Sequence, residues 1–556
     1  AAASPFKNTK PTATCWPLLG EARSQMMPTP LSEVDGVVDR LSAKSKEWSA
    51  VGCAERAVML RSVLDLVIAH MDEAAEVTTQ HKGSYGAGHS EEGYTVVCVA
   101  MAVREYAEAM EAGGTPKVLG VKRRPDGQAV VHVGPVGGLE NMIFPGYRQE
   151  VWMKPDAQYP PTQGHVYRQA AAGSPIDGGV GVVLGAGNQW VITILDALHL
   201  LITENRLPIL KMNPINEHIG PVAEKILAPF IERSFAAIVY GASEQGAHLV
   251  KHTGVSAVHM TGSVKTYDAI MWGGAERKAS LAEPLCSKVV TAELGCVTPY
   301  IICPGKWTDS DMQYHARNVV SALVHNGSHN CNAVKVLITS AAWPQRSEFL
   351  DLVRQLMKGA QPRVAYYPGS DANYKMYMEA YPDAEVLGAC PQDAPGVLVP
   401  WTLQANISVA DVERGLNDMC CSFEPWCGVL SEVVVPADNQ GRPARVDDAG
   451  ETEVDSQEID IFLKRAVVIA NERCFGSLSM AVFVSPDVMQ SMPDEVDRTI
   501  AALRYGAIAV NGPSIVCFAM QRLTWGAFPG NTPKDIGSGS GYVHNTTLLD
   551  EPQKSV

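Results

Sequence analysis

Between residues 178 and 290 the chain alternates short apolar runs with longer amphipathic ones. GGVGVVLGAG, LPILKMNP, FAAIVYG and SAVHMTGS are short and apolar with punctuating Gly, Pro or Asn, which predicts buried strands. Each is followed by a stretch with apolar residues at three-to-four spacing: NQWVITILDALHLLITEN, NEHIGPVAEKILAPFIERS, SEQGAHLVKHTG and VKTYDAIMWGGAERK. That spacing predicts helices. Strand and helix in regular alternation predict a parallel, doubly wound sheet, which presents its ligand at the C-terminal ends of its strands.

The flanking regions have other textures. Residues 31–115 carry the helical period in LSEVDGVVDRLSAKSKEWSA and AERAVMLRSVLDLVIAHMDEAAEV, whereas 117–170 breaks into strand-like pieces and turns, GQAVVHVGPVGG and YRQEVWMKP among them. A second α/β region spans 291–515, with VTPYIIC, a helix near 309–325, VKVLITS and RSEFLDLVRQLMKG. Within it the polar, acidic stretch 436–460 reads as an exposed insertion.

At 556 residues the chain exceeds one ordinary core, so two or three domains are expected. The net charge of -15, without any Lys/Arg block, argues against nucleic acid or an anionic membrane as partner. No apolar run reaches the roughly 18 residues of a membrane span. The 13 cysteines show no C-x-x-C spacing, which points to a reducing intracellular compartment, cytoplasmic or organellar, rather than to a disulfide scaffold. The Ala-, Ser- and Thr-rich start AAASPFKNTKPTATC reads either as the remnant of an organellar targeting segment or as a frayed terminus.

Chemistry enters at the strand ends. LGAGNQW, LKMNP, YGASEQG and HMTGSVK place small residues where a backbone must approach a ligand closely, and the helix N-termini that follow favour phosphate. In HNGSHNCNAVKV one cysteine, Cys331, sits in a tight loop before an apolar run. A free thiol titrates near ~8.5, so a nucleophilic role needs activating surroundings. His325 and His329 flank it, but neighbours along a loop need not face one another, and structural roles are expected for both. Cys420, Cys421 and Cys427 are expected to pack in a core rather than to bind metal. GSGSG at 537–541 lacks a flanking strand and helix and reads as a crossing segment rather than a phosphate loop.

Taken in order, LGAGN (184–188), LKMNP (210–214), HMTGS (259–263), ELG (293–295) and HNCNAVK (329–335), then RCFGSLSMAVF, LRYGAIAVNG and WGAFPGN, resemble the motifs of the aldehyde dehydrogenase superfamily over roughly residues 120–550. The resemblance implies an α/β fold with a Rossmann-like cofactor domain (1–149 and 179–290), a second α/β catalytic domain carrying the nucleophilic cysteine (291–515), and a small oligomerisation hairpin with the C-terminal segment (150–178 and 516–556). It implies that Cys331 attacks the aldehyde, that Asn188 stabilises the oxyanion together with the Cys331 N–H, and that Glu293 activates the hydrolytic water. Lys211, Asn213, Gly262, Ser263, Leu294 and Glu424 would hold NAD or NADP, no metal would be needed, and the assembly would be a homodimer or homotetramer acting on a small-molecule aldehyde.

The chain also departs from the family pattern. Ala186-Gly187 precedes Asn188 where the family has Pro-Trp, and Pro214 stands three residues after Lys211, where the family often has a ribose-binding Glu. Cys296-Val297 follows the Glu293 motif, and Glu424 lies one residue out of register in EPWCGVL. These departures suggest a divergent, large-variant member. Two alternatives stand beside the hydrolytic reading: transfer of the acyl group to coenzyme A, and a structural or assembly subunit retaining the fold.

Overall fold

The computed structural model describes residues 26–556 apart from 85, 86, 175, 177, 389–397, 438–444 and 447–451. The Ala-, Ser- and Thr-rich start and, within the acidic stretch 436–460, residues 438–444 and 447–451 therefore lie outside the described residues. The strands in chain order are β1 (Gly120–Arg123), β2 (Ala129–Gly134), β3 (Gln149–Met153), β4 (Val180–Leu184), β5 (Leu207–Lys211), β6 (Ala237–Val239), β7 (Val255–Thr261), β8 (Val289–Glu293), β9 (Pro299–Ile302), β10 (Val336–Ser340), β11 (Glu385–Leu387), β12 (Trp401–Ser408), β13 (Val429–Val435), β14 (Arg445–Val446), β15 (Thr452–Glu453), β16 (Ser479–Phe483), β17 (Ala507–Val510), β18 (Gly539–Ser540) and β19 (Pro552–Ser555).

The alternating region forms the predicted doubly wound sheet. Its six strands run in the order β18-β8-β7-β4-β5-β6, parallel from β8 to β6, with β18 antiparallel at one edge. β5 is buried at every position and β4 nearly so, as expected of strands covered on both faces. Two predicted helices are broken by their own sequence. NEHIGPVAEKILAPFIERS becomes Glu217–Ile219, Gly220–Ile226 and Ala228–Ile231, because Pro221 and Pro229 lack the N–H that would continue a helix and instead begin new ones. VKTYDAIMWGGAERK divides at Gly273 and Gly274, whose φ angles are 74° and 116°.

The second sheet has 11 strands in the order β1-β2-β3-β19-β17-β16-β9-β10-β13-β12-β11. Its parallel centre, β17 to β12, is the expected second α/β region. Among the described residues the segment 150–178, expected to be a hairpin, supplies the strand β3, which pairs with the earlier β2 and with the C-terminal β19, and an isolated antiparallel bridge from Gln163 to Leu549. The residues after β3 cannot extend a ladder, since Pro155, Pro160 and Pro161 remove donors, and the chain instead enters the helix His165–Ala171. The C-terminal segment serves both sheets, through β18 in the first and β19 in the second.

Four N-terminal helices, Leu31–Ala50, Cys53–Ala69, Met71–Lys82 and Ala87–Glu111, pack against the first sheet. In the first of them Val34, Val37, Val38, Leu41 and Trp48 form one buried stripe at helical spacing. Among the described residues no helix is long and apolar enough to cross a membrane.

Candidate functional site

Glu293 is the last residue of β8, so the strand delivers its carboxyl to the C-terminal edge of the first sheet. β18 fixes that end. Gly539 pairs with Glu293, the Leu294 N–H donates to the Ser538 carbonyl at 2.8 Å, and the Ser538 hydroxyl donates to the Gly295 carbonyl at 2.8 Å. The GSGSG run is thus an edge strand locking the carboxylate in place. Gly539 has φ 117°, and a Cβ there would strike the Ala292 carbonyl. Gly539→Ala is therefore expected to cost about 2 kcal/mol or more in urea-unfolding stability.

Cys331 comes from the other side of the site, in the loop after the helix Asp309–Val324. The turn that carries it is sharp, with Asn326, Gly327 and Ser328 all at positive φ (54°, 63° and 70°). Asn326 ties the loop together: its amide donates to the His329 carbonyl at 3.2 Å, the Asn330 side chain at 3.0 Å and the Asn188 carbonyl at 3.3 Å. Thr298 donates its hydroxyl to the Cys331 carbonyl at 3.1 Å. The result is a buried Cys331 thiol that donates to Glu293 Oε1 at 3.1 Å.

The electrostatics differ from the electropositive setting expected of an activated thiol. Burial pushes the Cys331 thiol well above its usual range, and the Glu293 charge pushes it further. Burial, together with the nearby Asp196 carboxylate, pushes Glu293 up to about 7. The pair therefore holds a thiol beside a carboxyl that can take its proton near neutral pH. The two flanking histidines face away from this chemistry. His329 directs Nδ1 to the Asn326 carbonyl at 3.0 Å and Nε2 to the Ser370 hydroxyl at 2.8 Å, and burial holds it down at about 3. His325 Nδ1 lies 2.6 Å from the Asn330 amide.

Asn188 follows β4 in a loop whose backbone is pinned to the cysteine loop. Its carbonyl accepts from the Tyr366 hydroxyl at 2.9 Å as well as from Asn326. The neighbouring Gln189 accepts from the buried Lys82 at 3.1 Å, and Lys82 also reaches Glu92 at 3.0 Å and Asn326 at 3.2 Å. A lysine from the N-terminal helices thus positions both loops. Lys82, Thr298 and Tyr366 gave no readable signal in the sequence; for Asn326 the Asn-Gly turn dipeptide was one.

Of the residues expected at the cofactor, Lys211, Asn213, Gly262, Ser263 and Leu294 occupy the same sheet edge, and Glu424 comes from the loop before β13 of the second sheet. Lys211 ends β5, and burial lowers its ammonium to about 8 while Glu217 opposes that shift. Glu217 is buried, yet neither of its carboxylate oxygens has a hydrogen-bond partner among the described residues. Asn213 is committed to the turn itself, accepting from the Ile215 N–H at 3.1 Å and donating to the Gly185 carbonyl at 3.2 Å. Ser263 caps the helix Val264–Trp272 by accepting from the Thr266 N–H at 3.2 Å. The Gly262 N–H is already donated to the Glu293 carbonyl at 3.0 Å. Leu294 is buried directly behind the base. Glu424 does reach the site: a Cβ on Gly295 would collide with its carboxylate, and burial raises it to about 8. The nearby Lys335 donates to the Ser328 and Cys427 carbonyls at 3.2 and 2.8 Å. Cys420 and Cys421 are buried with sulfurs 3.7 Å apart, and among the described residues no cluster of His, Cys, Asp and Glu could hold a metal.

Residues 223–363 match the model of the aldehyde dehydrogenase family, a span that takes in Ser263, Glu293 and Cys331. Solved structures align over nearly the whole chain. The aldehyde dehydrogenase KauB from Pseudomonas aeruginosa is 17% identical with a TM-score of 0.64, covering 96% of this chain and 90% of that one. The NADP-dependent glyceraldehyde-3-phosphate dehydrogenase from Bacillus halodurans C-125 complexed with NADP is 15% identical with a TM-score of 0.63, covering 96% and 92%. A mutant of aldehyde dehydrogenase C from Pseudomonas syringae, complexed with NAD+ and octanal, is 15% identical with a TM-score of 0.63, covering 95% and 89%. The chain thus has the aldehyde dehydrogenase fold over nearly its whole length, and within that fold residues 223–363 match the aldehyde dehydrogenase family.

Proposed function

We propose that this protein oxidises a small-molecule aldehyde to its carboxylic acid, with NAD or NADP as oxidant. The observation that carries this reading is the Cys331 thiol hydrogen-bonded to Glu293 at 3.1 Å, with both side chains buried where the two sheets meet. As sulfur bonds to the aldehyde carbon, the thiol proton passes to Glu293. The Asn188 side chain and the Cys331 N–H stabilise the oxyanion that forms. Acceptance of hydride from the adduct carbon is the chemistry a bound oxidised nicotinamide supplies, and it leaves a thioester on Cys331. Glu293 then removes a proton from water as its oxygen bonds to the acyl carbon, and the thioester C–S bond breaks.

The residues present suit such a cofactor. The buried Glu217 carboxylate, without partners among the described residues, and the Lys211 ammonium near it are the kind of polar ends that ribose hydroxyls satisfy. Six residues after Lys211, Glu217 would supply the carboxylate that Pro214 cannot, and its charge opposes a 2′-phosphate. The N-terminus of the helix Val264–Trp272, capped by Ser263, would face the pyrophosphate. Glu424, beside Gly295, would approach the nicotinamide ribose.

The test is a panel of aldehydes with NAD or NADP, with and without coenzyme A, followed by the absorbance of reduced cofactor. Turnover independent of coenzyme A, and faster with NAD than with NADP, is expected. Turnover only with coenzyme A would replace hydrolysis by acyl transfer. No turnover in any combination would leave the fold without this activity.

A further inference from the structure

The mechanism uses Glu293 twice, and between the two uses it must lose a proton. It takes the thiol proton in the first half of the reaction and a water proton in the second. Glu293 is buried, with Oε1 on the Cys331 thiol and the Trp525 indole also pairing with its carboxylate, so a route for its proton through the protein would have to start from the groups beside it on the sheet. A cluster of acid–base groups lies on that same face of the sheet.

The parallel register of β7 and β8 sets Thr261 opposite Glu293 and His259 opposite Thr291. Alternation along each strand then places all four side chains on one face of the sheet. Asp196, wholly buried on the helix Trp190–Leu198, covers that face. Its Oδ2 accepts from the Thr261 hydroxyl at 3.2 Å and lies 3.4 Å from His259 Nε2. His259 Nδ1 is 2.9 Å from the Thr291 hydroxyl. Asp196 and His199 lie three residues apart on one continuous helical run, Trp190–Leu198 followed by His199–Thr203. His199 Nε2 lies 3.5 Å from Glu204 Oε1, and the Glu204 side chain is 30% exposed. Arg206 holds the other oxygen of Glu204 at 3.4 Å.

Two of these groups share a second property. Asp196 Oδ1 and His199 Nδ1 are both buried, and neither has a hydrogen-bond partner among the described residues. Buried polar atoms rarely stay unpaired, and a file of internal waters satisfies such a set. We propose that Asp196, His259 and His199, bridged by buried water, form a proton relay that connects Glu293 with solvent at Glu204. This rests on the assignment of Glu293 as the base.

The relay closes the proton balance. Aldehyde, water and oxidised cofactor yield carboxylate, reduced cofactor and two protons. The thiol proton leaves through Glu293 and the relay before water is activated. The water proton taken by Glu293 returns to the Cys331 thiolate when the C–S bond breaks. The second net proton ionises from the product acid. Asp196 also explains part of the basicity of Glu293, because its carboxylate disfavours a second negative charge nearby, while the His259 imidazole, whose pKa Asp196 raises against the pull of burial, limits that effect. The groups that bear on Glu293 are therefore Asp196, the Trp525 indole, Cys331 across the site and His259 on β7.

Two variants test the relay. Asp196→Asn keeps the shape of the buried group and removes its charge. It is expected to leave the first burst of reduced cofactor intact, to slow steady-state turnover about tenfold or more, and to move the infrared titration of the Glu293 carboxyl to lower pH. Glu204→Gln, at the exposed end, is expected to slow steady-state turnover and to recover with high concentrations of imidazole buffer. An Asp196→Asn protein with unchanged turnover and an unmoved Glu293 titration would overturn the proposal. A Glu204→Gln defect that buffer does not restore would also overturn it. If the wild-type protein oxidises no aldehyde, the reading of the reaction fails instead, and the infrared titration still decides whether Asp196 governs the Glu293 proton.

Discussion

Cys331→Ala is expected to lower kcat/KM for aldehyde oxidation by about 10⁴-fold or more, with no burst of reduced cofactor. The magnitude follows from what the substitution removes. Without sulfur no covalent adduct forms, and Asn188 and Glu293 are left with nothing to stabilise or deprotonate. The nearby buried thiols are engaged elsewhere: the Cys296 sulfur contacts the Ser479 carbonyl at 3.7 Å, and the Cys303 sulfur contacts the Pro304 carbonyl at 3.5 Å. Cys303→Ala is the matched control, since it also removes a buried thiol but one remote from Glu293. The setting of Cys331 adds a pH signature. Because burial and Glu293 keep the thiol protonated, alkylation of the free enzyme by iodoacetamide is expected to be slow near pH 7 and to accelerate as pH rises. Fast alkylation at pH 7, or an Ala variant that still turns over, would remove Cys331 from the nucleophile's role.

The strands, the order of the chemical motifs and the candidate nucleophile were legible in the sequence because each depends on local pattern. β4, β5 and β6 lie within the short apolar runs that predict them and β7 begins one residue ahead of its run, since strands buried on both faces are mostly apolar. Helix breaks at Pro221 and Pro229 were equally local, and the amphipathic period simply masked them. What was not legible is long-range pairing. Nothing near residue 82 announces that its lysine will meet Gln189 and Asn326, more than one hundred residues away. Nor does any local signal tell that GSGSG pairs with the strand bearing Glu293, or that β3 finds its partners in β2 and β19 rather than in the residues that follow it. The same limit applies to charge. Asp196 lies on a mostly apolar helix, and only its placement over β7 and β8 makes it a neighbour of the base.

Glu293→Gln is expected to separate the two halves of the reaction. Glutamine keeps the size of the side chain but cannot accept a proton, so the second half, attack of water on the thioester, should fall by about 10² to 10⁴-fold. Adduct formation also begins with transfer of the thiol proton to Glu293, so the first half should slow at neutral pH and recover at higher pH, where the thiol ionises without help. At high pH the variant is therefore expected to release about one equivalent of reduced cofactor and then stall, with the acyl group on Cys331 detectable as a mass increase on the intact protein. In the wild type the carboxylate is the active form. With Glu293 raised to about 7 by burial, turnover should climb as pH rises through that value and fall away below it. The same shift acts on folding with the opposite sign. An unfolded Glu ionises near its ordinary value of 4.5, so between 4.5 and about 7 the folded protein holds a proton that the unfolded chain has lost. This group therefore favours the fold at the acid end of that window and loses its contribution as pH rises through it, and Glu293→Gln should flatten that part of the stability profile. A variant that turns over steadily at the wild-type rate, or stalls without an acyl adduct, would mean that water is activated elsewhere and that the 3.1 Å contact between Glu293 and Cys331 serves only to hold the thiol in place.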